Sequence, residues 1–546
     1  MNRIATRWLP LAVVALVCLL PLFGLWRAPG APMEEGFMLA FPELVLKGFV
    51  PHKDFLHLYG PGGLWLLAGV YKIVGVTLEA ERVVGYLQQL GVVFGIFTVL
   101  RPWGRWVAAA GAAVAAIIVI PPIGLVALAW VGAVALGLWS VNATLAGLAR
   151  DDKRLVGLGG LLGGLALLWR PDLILAVGIP GVVLFLALKA KDRWWYIGGL
   201  GTGVAPYLFL LAWAGVGNVI EGLFIEPVFD LRGGRRLPLP PSFDHFDGFL
   251  QRAGLLAEPP WPFPTLGSPL QLSLWLMLIV ATCAVLVLAG RAHVKRTGDR
   301  RLVVIALFAC GLLPQAIQRA DSTHLAWVSC VPFALMPAAI AELLPKRSTS
   351  RWTPRWRAGI AALAMPVLLL LVIPDFTWRT YADYVAEGFG QARSSGQMRN
   401  GDRVFYYGRP DAVVAVNELL PIVDDISEPG DTLFVGTADL RKTPYSEAFL
   451  YYLLPDLDPA TRYIEMDPGV ANAEDSGLAD ELRAADIVIL SSIRDDWNEP
   501  NESDRFGPDE PNQIIATEFC LVRSFGTGLY GRGLYELYTR CTNIPG

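Results

Sequence analysis

The chain has 546 residues, of which 54% are hydrophobic and only 17% charged, with 56 glycines and 18 tryptophans. Soluble domains are typically about 45–50% apolar and about 25% charged, so the composition excludes a disordered chain, a disulfide-rich miniprotein and a single soluble domain. The net charge of −4 hides a split: residues 401–546 carry 27 acidic and 11 basic side chains, net −16, which leaves +12 on residues 1–400. The basic residues lie between apolar runs, as in membrane-protein loops, and form no tract suited to nucleic acid.

A bilayer core takes about 20 mostly apolar residues per helix. Eleven spans are predicted, at 8–26, 83–100, 106–121, 124–146, 155–169, 173–188, 195–214, 271–290, 302–317, 325–344 and 358–374. The apolar stretch 61–76 is short, aromatic and interrupted by Lys72, which predicts an interfacial or re-entrant helix. With a cytoplasmic N-terminus, every second loop is basic: Arg3 and Arg7, Arg101 and Arg105, Arg150 to Arg154, Lys189 to Arg193, Arg291 to Arg301, and Lys346 to Arg357. That parity predicts a multi-pass plasma-membrane protein whose loops 27–82 and 215–268 and C-terminal tail lie outside. The first apolar run is followed by Trp26, Arg27 and Pro29 rather than by a small-residue cleavage site, so it reads as an uncleaved helix.

The fold expected is therefore a mostly α polytopic membrane region, 1–375, followed by a soluble, extracytoplasmic α/β domain, 376–546. In the tail, Thr432–Gly436, Tyr463–Met466 and Ile487–Ser491 read as strands. Ala412–Leu420, stopped by Pro421, and Ser476–Ala485 read as helices, an alternation that suggests a small parallel or mixed sheet. Residues 494–512, rich in Pro, Asn and Asp, read as an exposed loop. No GxGxxG follows a strand, which argues against a dinucleotide site. Cys18, Cys283, Cys310 and Cys330 sit in apolar runs as small core residues. Cys520 and Cys541 leave a disulfide open, because sequence does not give the Cα separation it needs.

Charges at a membrane edge are costly, so those on the outer side are the first functional candidates. The loop after the first span carries Glu34 and Glu35, then a short amphipathic helix with Phe37, Ala40, Phe41 and Leu44 on one face. Pro42 requires that helix to start late or to kink. Next comes a Gly/Pro-punctuated stretch with His52, Lys53, Asp54, His57 and Tyr59. The alternative is a solvated helix N-terminus, where carboxylates suit the macrodipole. Arg170 and Asp172 form a second group, equally readable as a local pair stabilising a turn. Arg319, Asp321 and His324 form a third, able to hold a phosphate by charge-assisted hydrogen bonds or simply to snorkel to the interface. In the loop 221–262, Arg232, Arg235, Arg236, Asp244, His245 and Asp247 suit a lid, a headgroup contact or a solvated loop, and lack ordinary metal-ligand spacing.

An acidic pair after the first helix, a Pro-His-Lys-Asp-Phe stretch at 51–55, a Gly-Pro segment at 60–61 and a second interfacial helix together resemble the GT-C glycosyltransferases. The resemblance is to the family 39-like group, which includes protein O-mannosyltransferases and the lipid A aminoarabinose transferase. It is strongest over residues 30–100 and extends loosely, through span count and the 315–324 loop, to about residue 375. It implies a polyprenyl-phosphate sugar donor, a glycan, lipid or protein acceptor, and an inverting single displacement. The family's acidic pair is commonly Asp-Glu with the first carboxylate catalytic, which carries over to Glu34, with Glu35 beside it. Glu in place of Asp leaves open which of the two is the base. Phosphate is a good leaving group, so one carboxylate suffices to deprotonate the acceptor hydroxyl. Cations stabilise the departing charge; the candidates are Lys53, Arg319, His324 and Arg170, with His52, Asp54, Tyr59 and Asp321 placed to orient sugar or phosphate. Some family members use a divalent cation, but no ligand set here predicts a metal or other cofactor. Two other functions compete: a transporter or flippase of lipid-linked sugars, and a non-catalytic anchor for the tail. The first lacks an inverted repeat or paired broken helices, and the second gives no reason for the Glu34–Tyr59 loop.

Overall fold

The computed structural model describes residues 5–244, 263–294, 300–343, 375–391, 395–495, 497, 499–528 and 532–543. Ten of the predicted spans fall on helices: Ala5–Leu19 with Leu22–Leu25, Leu78–Leu100, Arg105–Val119, Ala129–Arg150, Lys153–Trp169, Ile174–Ala187, Ala190–Val204 continued by Pro206–Ala214, Phe263–Val294, Arg300–Gly311 continued by Leu313–Gln318, and Ser322–Leu343. Among the described residues, seven of these runs are long and apolar enough to cross a membrane. The eleventh predicted span, 358–374, lies outside the described residues.

Apolar side chains give no hydrophobic drive between helices in lipid, so close backbone approach carries much of the packing. Lys153–Trp169 and Ala190–Val204 use glycine for this: a Cβ on Gly164 would stand 2.4 Å from the carbonyl oxygen of Leu200. Pro61–Val74 is helical, as its length and composition predict.

The helix Glu34–Lys47 contains Pro42 in its middle rather than in its first turn. Proline cannot donate to the carbonyl four residues back, and that carbonyl, of Met38, instead accepts from the buried Tyr71 hydroxyl at 3.1 Å. A neighbouring helix thus supplies the missing donor.

The C-terminal region contains a mixed five-stranded sheet in the order β4-β3-β5-β7-β6. Its strands are β3 (Thr432–Thr437), β4 (Asp458–Pro459), β5 (Ile487–Ser491), β6 (Phe519–Phe525) and β7 (Tyr535–Arg540). β3 runs parallel to β4 and β5, while β7 pairs antiparallel with β5 and β6. A separate antiparallel hairpin joins β1 (Gly396–Asn400) to β2 (Arg403–Tyr407). Cys520 and Cys541 are disulfide-bonded, their Cα atoms 4.8 Å apart.

Three tail expectations are corrected. Tyr463–Met466 is a turn, not a strand, with Met466 at φ 52° in the left-handed region. The helix from Pro410 runs through Pro421 to Ile426, because its buried face continues past the proline at Val423. The 494–512 stretch is not wholly exposed: Trp497, Glu499 and Ser503 are buried. It packs back onto the membrane region, where Glu499 meets Arg319.

Other ties hold the C-terminal region to the first outer loop. Arg403 grips Glu43 through two hydrogen bonds of 2.6 Å. Lys47 pairs with Asp458 at 3.0 Å, and the Leu56 N–H donates to the Arg462 carbonyl at 2.8 Å.

Candidate active site

Adjacent residues on an α-helix point about 100° apart, so neighbouring carboxylates at its start need not share a role. Glu35 is fully buried, and Arg82 grips it bidentately at 2.7 and 2.9 Å. The Arg82 guanidinium also donates to the carbonyls of Leu25, Trp26 and Ala28. This closed knot ties the end of the first span to the helix Leu78–Leu100 and leaves Glu35 facing no open space. Glu35, the other candidate base, is thus placed in a buried ion pair and away from the cavity.

Glu34 turns the other way. It is half-buried and lines a cavity of about 160 Å³. Among the described residues, no hydrogen bond or ion pair engages its carboxylate. Three arginines and a histidine share that cavity: Arg170, Arg235, Arg319 and His324. Its apolar walls include Leu223, Pro227, Val228 and Leu231, with Trp130 and Trp327 stacked at 5.7 Å.

The four groups are not electrostatically equal. Arg170 bonds Asp172 through two hydrogen bonds of 2.8 and 2.7 Å, as its local reading foresaw, yet its guanidinium also lies 4.3 Å from the centre of the Tyr59 ring at the cavity wall. Gln315 donates to the same Asp172 carboxylate. Arg319 is bound by Glu499 at 2.9 and 2.5 Å and by Asp321 at 2.8 Å. Burial raises the Asp321 carboxyl, but His324 and Arg319 outweigh this and hold it at about 2. Asp321 thereby fixes the His324 ring, whose Nδ1 lies 2.9 Å away. Arg235 differs: among the described residues no carboxylate pairs with it, and its guanidinium lies 5.4 Å from the centre of the Tyr445 ring. It is the cation best able to receive an anion.

Tyr59 lines the cavity, as do Arg170, Arg319 and His324. His52, Lys53 and Asp54 do not. Turn chemistry decides their place. Asp54 accepts from the Val50 N–H at 2.7 Å, His52 takes φ 68°, and Lys53 is exposed. Asp321 lies behind the cavity wall, bonded to Arg319 and His324. In the 221–262 loop, Arg232, Arg236 and Asp244 are exposed, while His245 and Asp247 lie outside the described residues. Sequence reading passed over Glu499, because a Pro/Asn/Asp-rich stretch ordinarily signals solvent. It gave Arg235 no priority because nothing local marks an arginine that tertiary packing leaves unpaired.

His52 and His57 are buried side by side, ring centres 5.9 Å apart. Burial first, then Arg462, lowers His52 to about 4; burial first, then His52, lowers His57 to about 3. Unfolding would restore ordinary values near 6.5, so below that pH the unfolded chain binds protons that the folded chain refuses. Stability present above pH 6.5 is thus lost as pH falls toward 4. We expect the melting temperature to drop less between pH 7 and 4.5 for His57→Phe than for the parent. Equal drops would contradict this account.

Among the described residues, no three His, Cys, Asp or Glu side chains are arranged to hold a metal ion.

No protein-family model matches the chain, and no curated protein matches it in sequence. Solved structures are similar in fold. ArnT from Cupriavidus metallidurans bound to undecaprenyl phosphate matches with a TM-score of 0.55 and 13% identity, over 100% of this chain and 99% of that one. The same protein in the apo state matches with a TM-score of 0.52 and 12% identity, over 99% and 98%.

Proposed function

We propose that this chain, which has the GT-C fold, is a membrane glycosyltransferase that moves a hexosyl or pentosyl group from a polyprenyl-phosphate donor to an acceptor hydroxyl. The observation that carries the reading is Glu34: a carboxylate with no bonded partner among the described residues, in a cavity that also holds Arg235, Arg170, Arg319 and His324. Glu34 takes the proton of the acceptor hydroxyl as its oxygen attacks the anomeric carbon. The bond from that carbon to the phosphate oxygen breaks on the opposite face, and the phosphate leaves with the electron pair, so the anomeric centre inverts. Arg235 receives the charge that develops on the phosphate, with Arg170, Arg319 and His324 adding to the field.

The match to a structure bound to undecaprenyl phosphate supports a lipid-linked donor. The basic alternate loops and the Cys520–Cys541 bond, which suits an oxidising compartment, support a plasma-membrane protein with its cavity and C-terminal region outside.

Membranes containing the protein, supplied with labelled polyprenyl-phosphate sugar, should transfer label to an endogenous acceptor. Arg235→Gln removes one charge-assisted contact worth about 1.5–3 kcal/mol, and each 1.4 kcal/mol is about tenfold. The donor KM should therefore rise about ten- to a hundredfold. An unchanged donor KM in Arg235→Gln would remove Arg235 from phosphate binding.

A further inference from the structure

The turn at 463–467 carries a second pair of acids. Glu465 and Asp467 are buried to 3% and 0% exposure, and among the described residues no donor reaches any of their four carboxyl oxygens. Glu499 and Asp321 by contrast both bond Arg319, and Glu226 accepts from Arg462 through one oxygen and leaves the other free. Leaving a buried polar group without a partner costs about 1–3 kcal/mol, and more for a charged one, so this pair stands out as acceptors awaiting donors.

Their position is next to the reaction chamber. Met466, between them, packs in one cluster with Leu58, Leu231 and Tyr59, which also wall the cavity. The Pro468 carbonyl lies so close to Gly234 that a Cβ there would stand 2.5 Å from it. The next residue, Arg235, therefore leaves the backbone beside this turn and reaches the cavity. Glu34 and Arg235 both act electrostatically on Glu465. Burial raises both carboxyls of the pair, and Asp467 raises Glu465 further, while Arg235 opposes the rise in each.

A chamber of about 160 Å³ is smaller than the roughly 300–1,000 Å³ of ordinary ligand pockets, so a sugar phosphate must widen it. The Arg170–Asp172–Gln315 and Arg319–Glu499–Asp321 walls are locked by ion pairs and hydrogen bonds. Tyr59 and Arg235, which line the cavity, both feel the charges of Glu465 and Asp467, and among the described residues neither is bonded to a carboxylate, so this side is where the chamber can widen toward the four acceptors. Neutral groups rich in O–H donors suit that surface: they satisfy carboxyls without requiring both to ionise.

We propose that Glu465 and Asp467 bind vicinal hydroxyls of a sugar ring, so that the C-terminal region completes the substrate site. This rests on the glycosyl-transfer reading above and names the substrate chemistry it would use. The hydroxyls belong either to the donor sugar, beside the phosphate at Arg235, or to a sugar acceptor.

The test uses the full-length protein and the variants Glu465→Gln and Asp467→Asn. In the transfer assay, one of the two KM values should rise tenfold or more with kcat within about threefold of the parent. A rise in donor KM assigns the donor sugar, and a rise in acceptor KM assigns the acceptor. Because each variant exchanges one unpartnered buried polar group for another of the same shape, its melting temperature should stay close to the parent's. Both KM values unchanged, or lost activity together with a lowered melting temperature, would overturn the proposal. A second arm needs no turnover: melting temperature in the presence of a panel of free pentoses and hexoses. At least one should stabilise the parent but not Asp467→Asn, even if no sugar transfer is detected, in which case the glycosyl-transfer reading alone fails. Stabilisation of neither protein, or of both equally, counts against the acid pair.

Discussion

Glu34→Gln is expected to reduce sugar transfer about 10²–10⁴-fold, the range for loss of a positioned general base, while the protein still inserts and melts like the parent. The amide keeps the shape of the side chain but has no basic oxygen for the acceptor proton. Because no ion pair or hydrogen bond among the described residues engages Glu34, removing its charge leaves no partner stranded. The measurement is a time course of label transfer in membranes with matched protein levels, beside a melting curve of the purified variant. Transfer at the parent's rate would end Glu34's role as base. A fall in stability matching the fall in activity would make Glu34 structural instead.

The opposite pattern is expected one residue further along. Glu35→Gln and Arg82→Met should each destabilise the protein by about 3–5 kcal/mol, the range for breaking a buried ion pair and stranding one charge. Arg82 would lose the only carboxylate that bonds it among the described residues, and its contacts to the Leu25, Trp26 and Ala28 carbonyls do not neutralise it. The double variant Glu35→Leu with Arg82→Met strands no charge, and replacing a whole buried pair by apolar groups is often neutral or stabilising. It should therefore recover much of the lost stability, so that the two single effects do not add. Thermal melts of the three variants in detergent test this. Additive losses would mean that the two residues are not coupled as a pair. The contrast also separates the roles of two adjacent carboxylates that sequence left equivalent.

The membrane half of the architecture was legible because it rests on a local, one-dimensional property. A run of about 20 apolar residues must be helical in lipid, since each backbone N–H and C=O needs a partner within the segment. Runs such as 124–146 and 325–344 thus announce themselves without knowledge of their neighbours. The sheet strands at 432–436 and 487–491 were legible for a related reason: short β-branched and aliphatic runs buried on both faces. Tyr463–Met466 has similar composition but forms a turn, because the competing outcome depends on what Met466 packs against, and Leu58 and Leu231 are hundreds of residues away.

The candidate site divides along the same line. Residue types and their proximity to the outer end of a span marked Glu34, Tyr59, Arg170, Arg319 and His324 from sequence, since charge at a membrane edge is costly wherever it falls. Sequence also marked His52, Lys53 and Asp54, and could not know that a tight turn keeps them from the chamber. Which cation stays unpaired was decided only in three dimensions. Glu499 lies 180 residues from Arg319 and pairs with it, whereas among the described residues no carboxylate pairs with Arg235. Composition and hydropathy alone determined that this chain is a polytopic helical protein with an acidic appended region, because burial in lipid is read segment by segment. Which of two neighbouring acids faces the chamber, and which arginine faces it with its charge unspent, only the tertiary structure decided, because ion pairing joins residues that the chain keeps far apart.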